Sequence, residues 1–294
     1  MPFYELTLQV AKQQAESVDQ TLTDSGAVGV TYVDAKDAPI YEPKPGETPL
    51  WDHIKLIGLF DDESLMDSAS EQLSSLFPQL EQLKTQLKDR VWERVWMDHF
   101  KPIRFGQNSW VIPDGFDVVD AEAVNLILDP GLAFGTGTHE TTALCLKWLD
   151  QNDVSGKELV DFGCGSGILA VMALLQGAKR VTCVDIDEQA ITATLQNAAK
   201  NGVAQGIEII NPENVHLIKN KDGILANILA EPLMMFCEDF YQMLKIDGFI
   251  VLSGILKSQK DMICEKYAQH FVDIEAEIEH DWVRVGAVKG PVSG

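Results

Sequence analysis

Apolar and polar residues alternate in short stretches of the first 90 residues, and runs with helical periodicity separate those stretches. Between Tyr4 and Val10 every second residue is apolar, which predicts a half-buried β-strand. From Ala15 to Leu22 the apolar residues recur at helical spacing, and Gly26 marks the end of the predicted helix. The elements predicted next are strands over 28–33 and 54–60, a helix over 65–77 and a strand over 83–87.

The order of these elements is βαββαβ, which predicts a small ferredoxin-like α+β domain over residues 1–89. Residues 90–105 follow as a predicted linker helix, because Trp92, Trp96 and Phe100 lie on one apolar stripe. Tryptophans on such a stripe are usually buried, so we expect the linker helix to pack against one of its neighbours. Residues 106–294 then form a second, larger domain.

The second domain has a different pattern, in which strand-like apolar runs are separated mostly by segments of helix length. This alternation predicts an α/β fold with a parallel sheet and helices on both of its faces. The last two runs are too close together for a crossover helix, so we expect them to form an antiparallel hairpin. The seven predicted strands cover residues 158–162, 179–186, 207–210, 224–229, 248–253, 271–277 and 282–288.

The chain has 294 residues, of which 46% are hydrophobic, and its formal net charge is -22. Such a charge disfavours nucleic acid and anionic membranes as partners and favours a basic macromolecule, although acidity also simply keeps proteins soluble. The five cysteines and six histidines lack the spacing of metal ligands, so we expect no metal site. No signal peptide or bilayer-length apolar run is visible, which predicts a cytoplasmic protein.

A glycine-rich stretch, V-D-F-G-C-G-S-G-I-L, begins at residue 160 and predicts a strand, a tight turn and a helix. Gly163, Gly165 and Gly167 would let backbone N–H groups close around a ligand at the helix N-terminus. A dinucleotide motif would place another glycine where Ile168 stands, and the carboxylate of Asp161 would repel a pyrophosphate. The turn therefore suits a ligand that carries positive charge, unless it is only a structural turn.

Asp185 stands at the end of the next predicted strand, eighteen residues after Gly167. An acidic side chain at this place accepts hydrogen bonds from both hydroxyls of a ribose. Asp187 fits better as the N-cap of the helix that follows. The two strand ends together predict a nucleoside site without a phosphate cradle, and the nucleoside with a cationic tail is S-adenosylmethionine.

Two further polar segments complete the candidate site. Asn227 ends the fourth parallel strand. Its carboxamide either forms its hydrogen bonds with the backbone, as buried amides usually do, or accepts a hydrogen bond from a substrate nitrogen or the cofactor. The glycine- and threonine-rich stretch over 129–142 leads into a helix, and hydroxyls at a helix start suit a carboxylate such as that of methionine. Thr138 is a candidate for this contact or for the N-cap, and the role of His139 stays open.

The stretch D-F-G-C-G-S-G with V-D-I-D resembles class I methyltransferases. The run L-D-P-G-L-A-F-G-T-G-T-H-E-T-T, followed by A-N-I-L-A, is more specific and resembles the bacterial PrmA family, which methylates ribosomal large-subunit protein eleven. The resemblance covers almost the whole chain. It implies a Rossmann-like seven-stranded catalytic domain, S-adenosylmethionine as cofactor, and transfer to the N-terminal amine and lysine side chains of the ribosomal protein.

The resemblance also assigns roles to residues and domains. It implies cofactor contacts at Thr142, Gly163, Asp185 and Asn227, a substrate-recognising N-terminal domain and a linker that lets the catalytic domain reposition. Related enzymes that act on planar nitrogens carry N-P-P-Y at the position of Asn227, whereas this chain has Asn-Ile-Leu-Ala, which argues against a flat substrate nitrogen.

The predicted reaction needs a neutral amine, because a lysine with a solution pKa of about 10.4 has no lone pair when protonated. Burial beside a sulfonium lowers that pKa, so alignment and desolvation would carry catalysis without a dedicated base. Three other hypotheses stay open: a nucleic-acid methyltransferase or RNA-binding module, a nicotinamide-dependent oxidoreductase, and an inactive scaffold that keeps a cofactor pocket. The first lacks a basic strip, and Asp161 disfavours the second.

Overall fold

The computed structural model describes residues 3–36, 50–87, 101–129 and 139–290. The chain divides into two compact units, Met1–His99 and Phe100–Gly294. No helix in these described ranges is both long and apolar enough to cross a membrane.

The first unit has the predicted order βαββαβ, so the ferredoxin-like prediction is confirmed. Its antiparallel sheet has the strand order β2-β3-β1-β4. The alternation predicted for β1 is also confirmed, because Leu6, Leu8 and Val10 are buried and pack with Ile54 and Leu56 of β3. The elements are β1 (Phe3–Ala11), α1 (Lys12–Asp24), β2 (Gly29–Asp34), β3 (His53–Phe60), α2 (Glu63–Leu76) and β4 (Gln82–Leu87).

The predicted linker helix over 90–105 is wrong at its C-terminal end. Residues 88–100 lie outside the described ranges, but Ile103–Phe105 forms a strand, β5, that pairs with β6 (Ser109–Pro113). Main-chain pairing with β6 and burial of Phe105 outweigh the local helical pattern. A third strand, β7 (Val124–Leu128), runs parallel to β6 and completes a small sheet that the sequence analysis missed.

The second unit is built on a seven-stranded sheet, as predicted. Its order is β10-β9-β8-β11-β12-β14-β13, and the first five strands in this order run parallel. The last two strands form the predicted antiparallel hairpin at the sheet's end. The strands are β8 (Glu158–Phe162), β9 (Arg180–Val184), β10 (Ile207–Ile209), β11 (Lys221–Asn227), β12 (Leu244–Leu256), β13 (Phe271–Glu279) and β14 (Trp282–Lys289).

Two hydrophobic cores cover the faces of this sheet, because successive side chains of a strand point to opposite faces. Leu159 of β8 belongs to one core and its neighbour Val160 to the other. The helices of this unit are α3 (Glu140–Gln151), α4 (Ile168–Leu175), α5 (Glu188–Lys200), α6 (Ala230–Met243) and α7 (Lys260–Tyr267). A Rossmann-like α/β fold is thereby confirmed.

Candidate cofactor and active site

The carboxyl ends of β8, β9 and β11 meet at one edge of the sheet and open onto a cavity of about 540 Å³. Open α/β sheets bind their ligands at this edge. Six of the residues singled out from the sequence line the cavity: Thr142, Asp161, Gly163, Gly165, Asp185 and Asn227. Gly167 lies outside its wall but ends the same turn, and Thr138 lies outside the described residues.

The glycine turn needs its glycines for two separate reasons. Gly163 has a φ of 75°, and a Cβ there would lie 2.2 Å from Cγ2 of Ile228. Gly167, with a φ of 76°, is the N-cap of α4, and a Cβ there would lie 2.8 Å from the Thr194 side chain. The left-handed backbone and the close neighbours both exclude a larger residue at these positions. Because glycine has no side chain, the backbone of the turn can approach a ligand closely.

Asp161 is a buried carboxyl group in the cavity wall. It is 1% exposed and accepts a hydrogen bond from the backbone N–H of Ala170 at 3.0 Å. Desolvation, and to a smaller extent the charge of Asp185, raise the pKa of Asp161 to about 7. A cation bound in the cavity would favour the ionised form, so this wall suits a positively charged ligand.

Asp185 is tied to the glycine turn through its carboxylate. Its Oδ2 accepts from the N–H of Gly165 at 2.9 Å, and its Oδ1 accepts from the N–H of Asp187 at 3.0 Å. These bonds fix the orientation of the carboxylate, and each oxygen keeps a second lone pair. The predicted N-cap is confirmed, because Asp187 accepts from the N–H of Gln189 at 2.8 Å.

Asn227 and Thr142 contact each other although 85 positions separate them. The Asn227 Nδ2 donates to the Thr142 Oγ1 at 3.1 Å. Thr142 is 2% exposed in the first turn of α3, and Asn227 is the last residue of β11. Within the described part of the chain, the Asn227 Oδ1 accepts no hydrogen bond. The geometry thus presents an oriented acceptor at the edge of the cavity.

His139 has a structural place in this region. It is the N-cap of α3, and its Nδ1 accepts from the N–H of Thr141 at 3.4 Å. Its ring packs edge-on against Trp282 with the centroids 4.9 Å apart. His139 does not line the cavity. The alternative in which Thr138 caps this helix is therefore wrong, because the helix begins one residue later.

An apolar wall of the cavity was missed in the sequence analysis. Phe162 contacts Phe236 with ring centroids 4.7 Å apart, and Met235, 71% exposed, follows the same wall. Ile186, directly after Asp185, is 92% exposed. The sequence offered one signal for this wall: the apolar Ile186 stands immediately after Asp185, the acidic residue at the end of β9. Phe162 instead ends an apolar strand and Phe236 lies on an amphipathic helix, which are ordinary core positions, so neither carried a separate signal.

The fold and the site together define a class of protein. The strand order, the glycine turn without a third dinucleotide glycine, and the buried acid beside a second strand-end acid are those of a class I methyltransferase. Within that class, the chain belongs to the family described as "Ribosomal protein L11 methyltransferase (PrmA)", whose model matches residues 2–290. Its cofactor is S-adenosylmethionine, and the buried Asp161 carboxyl in the cavity fits a sulfonium ligand.

Relatives with this name match almost the whole chain. The "Ribosomal protein L11 methyltransferase" of Alteromonas mediterranea is 46% identical over 292 residues, which are 98% of this chain and 100% of the relative. The protein of the same name from Pseudoalteromonas atlantica is 47% identical over 291 residues, which are 97% of this chain and 98% of the relative. A crystal structure of "ribosomal protein L11 methylase" from Lactobacillus delbrueckii subsp. bulgaricus has a TM-score of 0.60 at 30% identity and covers 65% of this chain and 100% of its own.

Proposed function

We propose that this protein transfers methyl groups from S-adenosylmethionine to amino groups of ribosomal protein L11, the substrate in the names of its relatives. The acceptors are the N-terminal amine and lysine side chains. The observation that carries this proposal is the Asn227 carboxamide, which Thr142 orients so that its Oδ1 accepts from a substrate N–H. A small aliphatic amine suits this place, because Ile228 follows Asn227 where related enzymes that act on planar nitrogens carry Pro-Pro-Tyr.

The cofactor's parts divide among the residues that line the cavity. The Asp185 carboxylate would accept hydrogen bonds from the ribose hydroxyls, and the glycine turn would lie against the ligand. The ionised Asp161 offsets the ligand's positive charge. Thr142, with Thr138 from the preceding stretch, binds the carboxylate of the methionine part. Asn227 faces both cofactor and substrate and is the residue we assign to catalysis.

When bound, S-adenosylmethionine supplies an electrophilic methyl group. With the cofactor held by Asp185, Thr142 and the glycine turn, a neutral amine would attack that methyl in line: an N–C bond would form while the C–S bond broke, and the electron pair of that bond would stay on sulfur. The Asn227 Oδ1 accepts an N–H of the amine and thereby holds its lone pair on this line. The apolar wall over Phe162 and Phe236 excludes water and favours the neutral amine, whose proton has passed to water beforehand.

The partner is a basic protein, in keeping with the net charge of -22. Residues 1–89 recognise this substrate, and the second unit, Phe100–Gly294, binds the cofactor and carries out transfer. We expect no direct binding of nucleic acid and a cytoplasmic location. A basic strip, which RNA binding would need, is not visible in the composition.

The proposal is tested with methyl-labelled cofactor and unmodified ribosomal proteins, with mass mapping of the labelled product. We expect label on amino groups of L11 and a loss of at least about tenfold in rate for Asn227→Ala. The matched control is Gln242→Ala, because Gln242 is an exposed amide on α6 that bonds only Glu238 among the described residues. Label in RNA, or on carboxylates or amides of proteins, would contradict the proposed acceptor.

A further inference from the structure

The helix α5 carries polar side chains on the stripe that it buries. Thr194 and Asn197 are 0% and 2% exposed, and Asn201, directly after the helix, lies on the same stripe. Their spacing of three and four residues places them one above the other. Burial of polar groups is costly unless each is hydrogen-bonded, so these residues need partners in the surrounding backbone.

Asn197 bonds two backbone segments that are far apart in the sequence. Its Nδ2 donates to the carbonyl of Ser166 at 2.9 Å, and its Oδ1 accepts from the N–H of Asp129 at 3.2 Å. Ser166 stands between Gly165 and Gly167 in the glycine turn. Asp129 directly follows β7, and the chain continues from it into the 130–138 stretch. One carboxamide therefore connects the glycine turn to the start of the other predicted cofactor segment.

Each of the other two residues of the stripe bonds only one of the two connected segments. Thr194 Oγ1 donates to the carbonyl of Gly165 at 3.1 Å, which supports the glycine turn. Asn201 holds Ile127 of β7, whose N–H donates to Oδ1 at 2.8 Å and whose carbonyl accepts from Nδ2 at 2.7 Å. Of these three residues, Asn197 is the one that bonds both the turn and the residue after β7.

We propose that Asn197 is a positioning residue for S-adenosylmethionine, acting by holding Ser166 and Asp129 at a fixed separation. The position requires a side chain with one donor and one acceptor, and a carboxamide supplies both. A carboxylate of the same shape accepts from the N–H of Asp129 but cannot donate to the carbonyl of Ser166. Its negative charge also repels that carbonyl oxygen. Loss of the donor therefore shifts the turn that touches the cofactor.

The test is the affinity of the full-length protein for S-adenosylmethionine, measured by calorimetry between pH 9 and pH 5.5. At pH 9 we expect Asn197→Asp to bind at least about tenfold more weakly than the wild type, which is about 1.4 kcal/mol. As the pH falls, the new carboxyl group gains a proton and can donate to Ser166 again. The ratio of the variant's Kd to that of the wild type, which is used because Asp161 titrates in both proteins, should then shrink towards one.

The matched control is Asn201→Asp, which loses its donor to the carbonyls of Ile127 and Asn197 but does not contact the glycine turn. We expect this variant to lose thermal stability without loss of affinity. Should Asn197→Asp fail to fold, Asn197→Ser and Asn201→Ser make the same comparison at one pH. Equal affinity of the Asn197 variant and the wild type, or equal weakening by the Asn201 variant, would overturn the proposal.

This inference rests on the cofactor part of the proposed function and not on the identity of the methyl acceptor. Cofactor binding is measured without any ribosomal protein. If L11 is not methylated but the Asn197 variants lose affinity as expected, only the proposed acceptor fails. If L11 is methylated and the Asn197 variants bind normally, only the positioning role fails.

Discussion

The carboxamide of Asn227 donates a hydrogen bond to the hydroxyl of Thr142 at 3.1 Å, which joins the end of β11 to the first turn of α3. Because this bond engages the amide nitrogen, the amide oxygen is left as the acceptor. The orientation of the group that we assign to the substrate amine thus depends on a residue 85 positions earlier in the chain. Substitutions of Thr142 test this dependence directly.

Thr142→Val removes the hydroxyl and nearly preserves the shape of the side chain. We expect methyl transfer to slow by roughly 10- to 100-fold, because the Asn227 amide loses its fixed orientation. Thr142→Ser keeps the hydroxyl and should retain most of the rate. The measurement is single-turnover transfer at saturating cofactor, which separates transfer from cofactor affinity. Equal rates for the two variants would show that the hydroxyl does not orient Asn227.

Asp185 and Asp187 form a matched pair, because both are carboxylates at the end of β9 and both accept backbone N–H groups. Asp185→Ala should weaken binding of S-adenosylmethionine strongly, since it removes the ribose acceptor and the support of Gly165. Asp187→Ala removes a helix cap and should cost about 1 kcal/mol of stability with little change in affinity. Calorimetric titration and thermal denaturation of both variants provide the measurements. Unchanged affinity after Asp185→Ala would remove the ribose assignment.

Asp161 makes the stability of the cofactor-free protein depend on pH. Its pKa is raised from 3.8 to about 7 by desolvation, so the folded state holds a proton that the unfolded state has already released. This group therefore lowers the free energy of unfolding progressively as the pH rises from about 4 to about 7, by at most about 4 kcal/mol.

Asp161→Asn should remove this dependence. The stability of the variant relative to the wild type should rise between pH 5 and pH 8 and level off at higher pH, as measured by urea denaturation. At pH 8 the same variant should bind the cationic cofactor more weakly, because it lacks the negative charge. A stability difference that stays constant with pH would show that Asp161 is already ionised in the folded protein at pH 5.

Gly163→Ala tests the close approach in the glycine turn. A Cβ at this position would lie 2.2 Å from Cγ2 of Ile228, and Gly202 has a similar φ of 71° with nothing within 4 Å of its Cβ position. Both alanine substitutions should cost about 1–2 kcal/mol for the left-handed backbone. Only Gly163→Ala should also abolish cofactor binding. If the two variants bind S-adenosylmethionine equally well, the contact with Ile228 does not constrain the site.

Local patterns predicted most elements because each depends on a few neighbouring side chains. The alternation over 4–10 and the apolar run over 158–162 both became strands close to their predicted bounds. The small sheet of β5, β6 and β7 escaped prediction, since its strands have only three to five residues and little periodicity. The segment around Ile103 was predicted to be helical, and pairing with β6 decided otherwise.

The candidate site was predictable where the chain itself brings the groups together. Asp161 and the three glycines lie within seven residues, and the spacing to Asp185 follows from one strand–helix–strand unit. The Phe162–Phe236 wall and the contacts of Asn197 were not predictable, because their partners are tens of residues apart. The signal available for Asn197 was its place on the apolar stripe of a predicted helix, at helical spacing from Ala190 and Ala193.

The sequence by itself determined the order of most elements, the Rossmann-like class and the residues at the strand ends, because periodicity and turn chemistry are properties of short segments. The tertiary structure alone decided which of those residues meet. It pairs Asn227 with Thr142, makes His139 a helix cap rather than part of the cavity wall, and buries Asp161 in that wall. Such relationships depend on the packing of distant elements, which sets distances and burial that no local pattern contains.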